Sequence, residues 1–215
     1  QERWEELSRL IRAADNRKAA THCGMPHANL LSLGARTDVV LATEHAIADG
    51  FPPGLQGIEA LEDVLAEFPD DYAIAEIVAQ SHMDIGWAWR GTGWDGDVPA
   101  RNRTAFEAHF DRAEEILAPF EKDTAGSPLL AATHCALLGG TGGDARAVAD
   151  RYARLIDLNP ANPRPMRAMG NHLLPRWHGS YDQLELEARR TAARTEETWG
   201  AGGYTWVQFD AISCD

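Results

Sequence analysis

The chain has 215 residues and a mass of 23.6 kDa, enough for one sizeable core or two small ones, and its 44% apolar and 25% charged residues are ordinary globular usage. Twenty Lys and Arg against 33 Asp and Glu leave a net charge of −13, which repels a phosphate backbone and argues against a nucleic-acid partner. No apolar run reaches the roughly 18 residues of a membrane span. Cys23, Cys135 and Cys214 lie far apart without a C-x-x-C, so neither a disulfide framework nor a zinc knuckle is expected, and a reducing cytoplasm is the expected setting.

In chain order, Trp4, Leu7, Ile11 and Ala14 share one face at helical spacing, and Gly24-Met25-Pro26 breaks that run. The apolar piece from Pro26 to Gly34 is ambiguous. A helix is expected from Thr37, taken as its N-cap, to Gly50, carrying Val40, Leu41 and Ile47. After the breaker Phe51-Pro52-Pro53-Gly54, Ile58, Leu61, Leu65 and Phe68 repeat as a helix over about Gln56 to Phe68. Pro69-Asp70-Asp71 closes it and caps a fourth helix, Tyr72 to Arg90. The loop from Gly91 to Asp97 is too glycine-rich to continue a helix. A fifth is expected from Pro99 to Lys122 on the stripe Phe106, Phe110, Ala113 and Leu117. No stretch alternates as a strand would, so the expected fold is all-α.

The second half carries an internal spacing. One amphipathic run ends at Leu158-Asn159-Pro160, and a new one opens with Met166-x-x-Met169-Gly170-x-x-Leu173. About 34 residues earlier stand Ala132, Cys135, Ala136 and Gly139, again small or apolar, with Val148, Tyr152 and Leu155 on the helix that follows. Ser127-Pro128 and Asn162-Pro163 each look like an N-cap followed by proline in the first turn. The run Gly139-Gly140-Thr141-Gly142-Gly143 reads as the turn between two helices rather than as a phosphate loop, since it follows a helix and not a strand. A last helix, near Tyr204 to Ile212, begins another unit or caps the stack.

This pattern resembles a divergent tetratricopeptide-like or Sel1-like helical repeat protein. The resemblance implies one all-helical domain over 1–215, with atypical helices over 1–68 and irregular helix pairs over 69–215 that stack as a short right-handed superhelix. The tryptophan of the family signature is absent, and Pro175 displaces the second helix of the last unit. The resemblance further implies that first-helix residues line a concave groove: Arg164, Arg167 and Asn171 in one unit, and Leu130, Thr133 and Leu137, with His134 beside them, in the other. Arg167 and Asn171, one turn apart, look like half of a clamp for a peptide C-terminus, a task that suits the planar guanidinium fork. Plain solvated surface charges are the alternative. The function expected on this footing is a protein-interaction or scaffold module that binds a peptide or partner protein through an acidic or C-terminal carboxylate segment.

Two other groups invite chemistry. His82, His134 and His172 each fall late in a proposed first helix, but no local ligand pair accompanies them, so no metal is expected and no cofactor is implied. Asp84, Trp87, Arg90, Trp94, Asp95 and Asp97 form the densest polar and aromatic group. In an all-helical, hydrolase-like enzyme, a carboxylate pair from this group would supply acid and base, and Trp87 and Arg90 would meet the ligand. The seven tryptophans are expected chiefly as plugs at helix junctions. The apolar face of the last helix, or Trp199 and Trp206, would equally serve a homodimer contact. The interaction module is preferred because several positions support its frame, whereas no catalytic constellation is complete.

Overall fold

The computed structural model describes residues 3–93, 95–177 and 179–212, and within them the chain forms eleven α-helices and no strand beyond an isolated bridge between Ala20 and Pro26. The expected all-α class is therefore what the chain adopts. It divides into two compact units, residues 1–17 with 27–122 and residues 18–26 with 123–215. Among the described residues no helix is long and apolar enough to cross a membrane.

Unit 1 comprises α1 (Trp4–Asn16), α2 (His27–Ala48), α3 (Gln56–Glu67), α4 (Tyr72–Arg90) and α5 (Ala100–Leu117). α4 is the helix on which the others are assembled: α1, α2, α3 and α5 all pack against it. Its sequence is apolar or small around most of its circumference, the pattern of a helix surrounded by neighbours, and Ile74, Ile77, Val78, Met83 and Ile85 are buried. The Asp71 carboxylate caps it, accepting the amides of Ala73 at 3.0 Å and Ile74 at 3.4 Å. Gly91, with φ of 70°, ends it.

Two boundaries in unit 1 differ from the sequence reading. α2 starts at His27, not Thr37, so the ambiguous piece from Pro26 to Gly34 is helical. Thr37 is no cap: its hydroxyl donates to the Leu33 carbonyl one turn back at 2.6 Å, a bond available only inside a helix. After α5 the chain tightens into 3-10 turns over Ala118–Ala125, because Pro119 has no amide proton for the α-helical ladder.

Unit 2 contains α6 (Pro128–Thr141), α7 (Ala145–Leu158), α8 (Arg164–His172), α9 (Tyr181–Arg194), the single turn α10 (Glu196–Trp199) and α11 (Gly202–Ala211). Ser127, Asp144 and Ser180 cap α6, α7 and α9 through their side chains. Gly139, Gly140 and Thr141, expected in a turn, are the last residues of α6, and Gly142, with φ of 79°, stops it. α6 packs on α7 and α7 on α8, as successive hairpins would. α8, however, packs chiefly on α11 rather than on α9, and α9 also lies on α11.

Gly170 explains that choice of neighbour. A Cβ there would stand 1.8 Å from the Val207 carbonyl oxygen, so the backbones of α8 and α11 meet where only a hydrogen fits. The small residue is required, as expected, but the helix that crosses it is α11. Ala136, its proposed counterpart in α6, is only half-buried. Around this contact lies one apolar cluster containing Cys135, Val148, Tyr152, Leu155, Met166, Met169, Leu173, Leu184 and Val207.

Candidate functional site

Arg167 projects from α8 toward α11, where it meets Asp210 in a two-point ion pair. Nε donates to Oδ2 at 2.9 Å and Nη2 to Oδ1 at 2.8 Å, the fork-to-carboxylate geometry that favours Arg over Lys. The pair is accessible, with side-chain exposures of 39% for Arg167 and 32% for Asp210. The guanidinium also lies over the Phe209 ring, 5.2 Å from its centroid. Phe209 is exposed, Ile212 more so, and the Trp206 ring lies 5.8 Å from that of Phe209. The result is a charged fork beside an aromatic surface. Asp210 holds the Arg167 guanidinium above its ordinary pKa.

The other residues of the predicted groove are placed differently. Arg164, in the first turn of α8, is exposed, and its amide donates to Asn162 Oδ1 at 3.1 Å. Asn171 is half-buried, and its side-chain oxygen accepts Arg176 Nη2 at 3.2 Å. Leu130, Thr133, His134 and Leu137 do not line an open face: all four are buried. The Thr133 hydroxyl donates to the Leu129 carbonyl at 3.0 Å, which turns it back along its own helix. Arg164, Arg167 and Asn171 thus each have a separate partner, and the four α6 residues lie inside.

Beside Arg164, the loop 18–26 places Gly24 against Pro163, a Cβ on the glycine coming within 3.5 Å of the proline ring. The exposed Cys23 thiol in that loop has its pKa lowered, first by its hydrogen bond with the Thr21 hydroxyl and next by the Met25 backbone.

In unit 1, Trp87 and Arg90 hold the end of α4 together rather than opening a cleft. The Trp87 ring packs edge-on against Phe106 at 5.0 Å and Phe110 at 5.6 Å, and Arg90 lies 5.7 Å from its centroid. Arg90 Nη1 also donates to the carbonyls of Gly91 at 3.2 Å and Gly93 at 3.3 Å, tying down the start of the glycine loop. Asp84, expected as an acid or base, accepts Arg36 Nε at 2.8 Å and Gln80 Nε2 at 3.2 Å. Trp94 and the Asp95 side chain lie outside the described residues. A concavity of about 380 Å³ sits elsewhere in this unit, lined by Arg3, Trp4, Glu5, Glu6, Glu67 and Phe68, and contains none of the predicted site residues.

The histidines have separate environments. His172 Nδ1 meets the buried Tyr152 hydroxyl at 3.0 Å, and burial keeps that phenol well above its ordinary pKa. His82 joins a set that sequence reasoning missed: Nε2 lies 2.9 Å from Glu62 Oε1, and Nδ1 lies 2.9 Å from His109 Nδ1. Arg112 grips Glu62 with Nε at 2.8 Å and Nη2 at 2.5 Å. These partners come from three helices as many as 50 positions apart, so no local motif signals them. Among the described residues no three His, Cys, Asp or Glu side chains converge as metal ligands.

Compared with protein-family models, with curated proteins and with solved structures, the chain finds no significant match.

Proposed function

We propose that unit 2 is a protein-interaction module of tetratricopeptide-like type, and that Arg167 on the face formed by α8 and α11 seats a carboxylate of a peptide or partner protein. The observation that carries the reading is the Arg167–Asp210 pair. The fork is accessible, oriented for two-point contact, and already engaged by a carboxylate. Phe209 and Ile212, exposed beside it, supply apolar contact for the side chain that precedes a terminal carboxylate. The α6–α7 hairpin, and the burial of Cys135, Met166, Met169 and Leu173 in one cluster, support the repeat-like relationship. Contact with an incoming carboxylate displaces Asp210, so the partner exchanges one ion pair for another. The net gain comes from the apolar neighbours more than from charge.

The test is an array of peptides of varied sequence, each made with a free and with an amidated C-terminus, probed with the full chain. The wild-type protein is expected to retain a subset of free-carboxylate peptides and to release their amides. Arg167→Ala is expected to lose that preference. Equal retention of acids and amides by the wild-type protein would overturn the reading.

A further inference from the structure

The chain of contacts through Glu62, His82 and His109 has a proton inventory set by its geometry. Glu62 on α3 is held by Arg112 on α5, which keeps its carboxyl below the ordinary range, with His82 assisting. An ionised carboxylate only accepts, so His82 Nε2, 2.9 Å away, carries a proton toward it. A neutral His82 then has a bare Nδ1. The facing Nδ1 of His109, at 2.9 Å, must therefore be the donor. This ordering leaves His109 Nε2 as the basic nitrogen of the chain, and among the described residues it has no hydrogen-bond partner.

One further proton leaves the hydrogen bonds in place: on His109 Nε2, it keeps every bond in the chain intact. A second cannot be. It would have to enter at His82 Nδ1, where two N–H groups would then oppose each other between two imidazolium rings whose centroids are 5.2 Å apart. We infer that Glu62, His82 and His109 form an acid-sensitive latch that stores one proton and is opened by the second, loosening the joint between α4 and α5. The latch belongs to unit 1 and does not depend on the carboxylate seat proposed for unit 2.

The surrounding charges agree with this direction. Burial, and next the charge of His82, pushes His109 down to about 4. Burial also lowers His82, against the opposing pull of Glu62. From α5 the cation near the pair is Arg112, itself shared between Glu62 and Glu115. From α2, Arg36 is engaged by Asp84, which is two residues from His82 and so about 200° around α4. From α1, Arg12 faces Asp71 and Asp15 meets the Tyr72 hydroxyl at the far end of α4. Because both imidazoles have folded pKa values below their ordinary 6.5, the folded unit binds fewer protons than the unfolded chain in weak acid. Stability from the pair is complete above pH 6.5 and is lost as the pH falls toward about 4.

The experiment combines imidazole nitrogen NMR on the full chain with amide hydrogen exchange, corrected for intrinsic rates, at several pH values from about 7 down to about 3, below the range in which the first proton binds. At neutral pH, His82 is expected as the Nε2–H tautomer and His109 as the Nδ1–H tautomer. Across the titration, protection of the α4 and α5 amides is expected to fall at least about tenfold more in the wild-type protein than in His109→Gln, since one pKa unit is a tenfold effect. Glutamine can still donate to His82 Nδ1 but takes up no proton. Equal pH dependence in the two proteins overturns the latch. Should His109→Gln fail to fold, the wild-type spectra decide alone: His82 found as the Nδ1–H tautomer overturns it.

Discussion

In unit 1 the most buried helix takes polar groups inside with it. α4 carries His82 and Asp84 to Glu62, His109 and Arg36 on three neighbouring helices. In unit 2 the central cluster is almost wholly apolar, and its tightest approach is backbone to backbone at Gly170. Similar helices are thus placed by different devices. Polar chains fix which helices meet in unit 1, because a missing partner leaves a buried donor or acceptor unsatisfied. Steric fit fixes them in unit 2, because α11 can lie on α8 only where no side chain intervenes.

The largest expected effect breaks the second device. Gly170→Ala puts a methyl group 1.8 Å from the Val207 carbonyl oxygen, so a helix must move. A loss of at least about 3 kcal/mol is expected in urea unfolding, with amide exchange rising first in α8 and α11. Next is Glu62→Ala, which removes the acceptor shared by His82 and Arg112. It is expected to cost about 2 kcal/mol, and the acid sensitivity of unit 1 is expected to change with it.

Gly86→Ala sharpens the contrast with Gly170. A Cβ at Gly86 would meet the Phe110 ring at 3.1 Å and the His109 Cβ at 3.4 Å; the second is ordinary contact, and a ring edge can yield by a few tenths of an ångström. About 1 kcal/mol of helix propensity offsets that strain, so a net change within about 0.5 kcal/mol is expected in the same unfolding assay. The smallest stability effect belongs to Arg167→Ala, within about 1 kcal/mol because both partners are accessible. Its consequence is expected in ligand retention on the peptide array.

Several helix boundaries were legible from a local cap or breaker, although Pro119 and Gly142 stop α5 and α6 at residues that were not expected. Asp71 and Ser127 act through their own side chains within three residues, and α4 begins and ends at the residues expected. Thr37 misled because the same hydroxyl that caps a helix also bonds one turn back inside one. The burial of Met166, Met169 and Leu173 followed from their spacing. The partner of Gly170 did not, since a glycine announces a close approach without naming what approaches.

For the site, Arg167 could be picked out from its position on α8. Asp210, 43 residues away, could not, because nothing in a linear pattern pairs two helices that are not successive. Glu62, His109 and Arg112 were illegible for the same reason. The buried Thr133 and His134 were misplaced because periodicity assigns a residue to a face of its helix, while what covers that face is a tertiary matter.

The claim that Arg167 is a carboxylate seat occupied by Asp210 is tested most directly by replacing the occupant. Titration calorimetry of Asp210→Asn against a free-carboxylate peptide retained by the wild-type protein is the measurement. Tighter binding than wild type is expected, because the fork no longer exchanges one anion for another. Unchanged or weaker binding would contradict it.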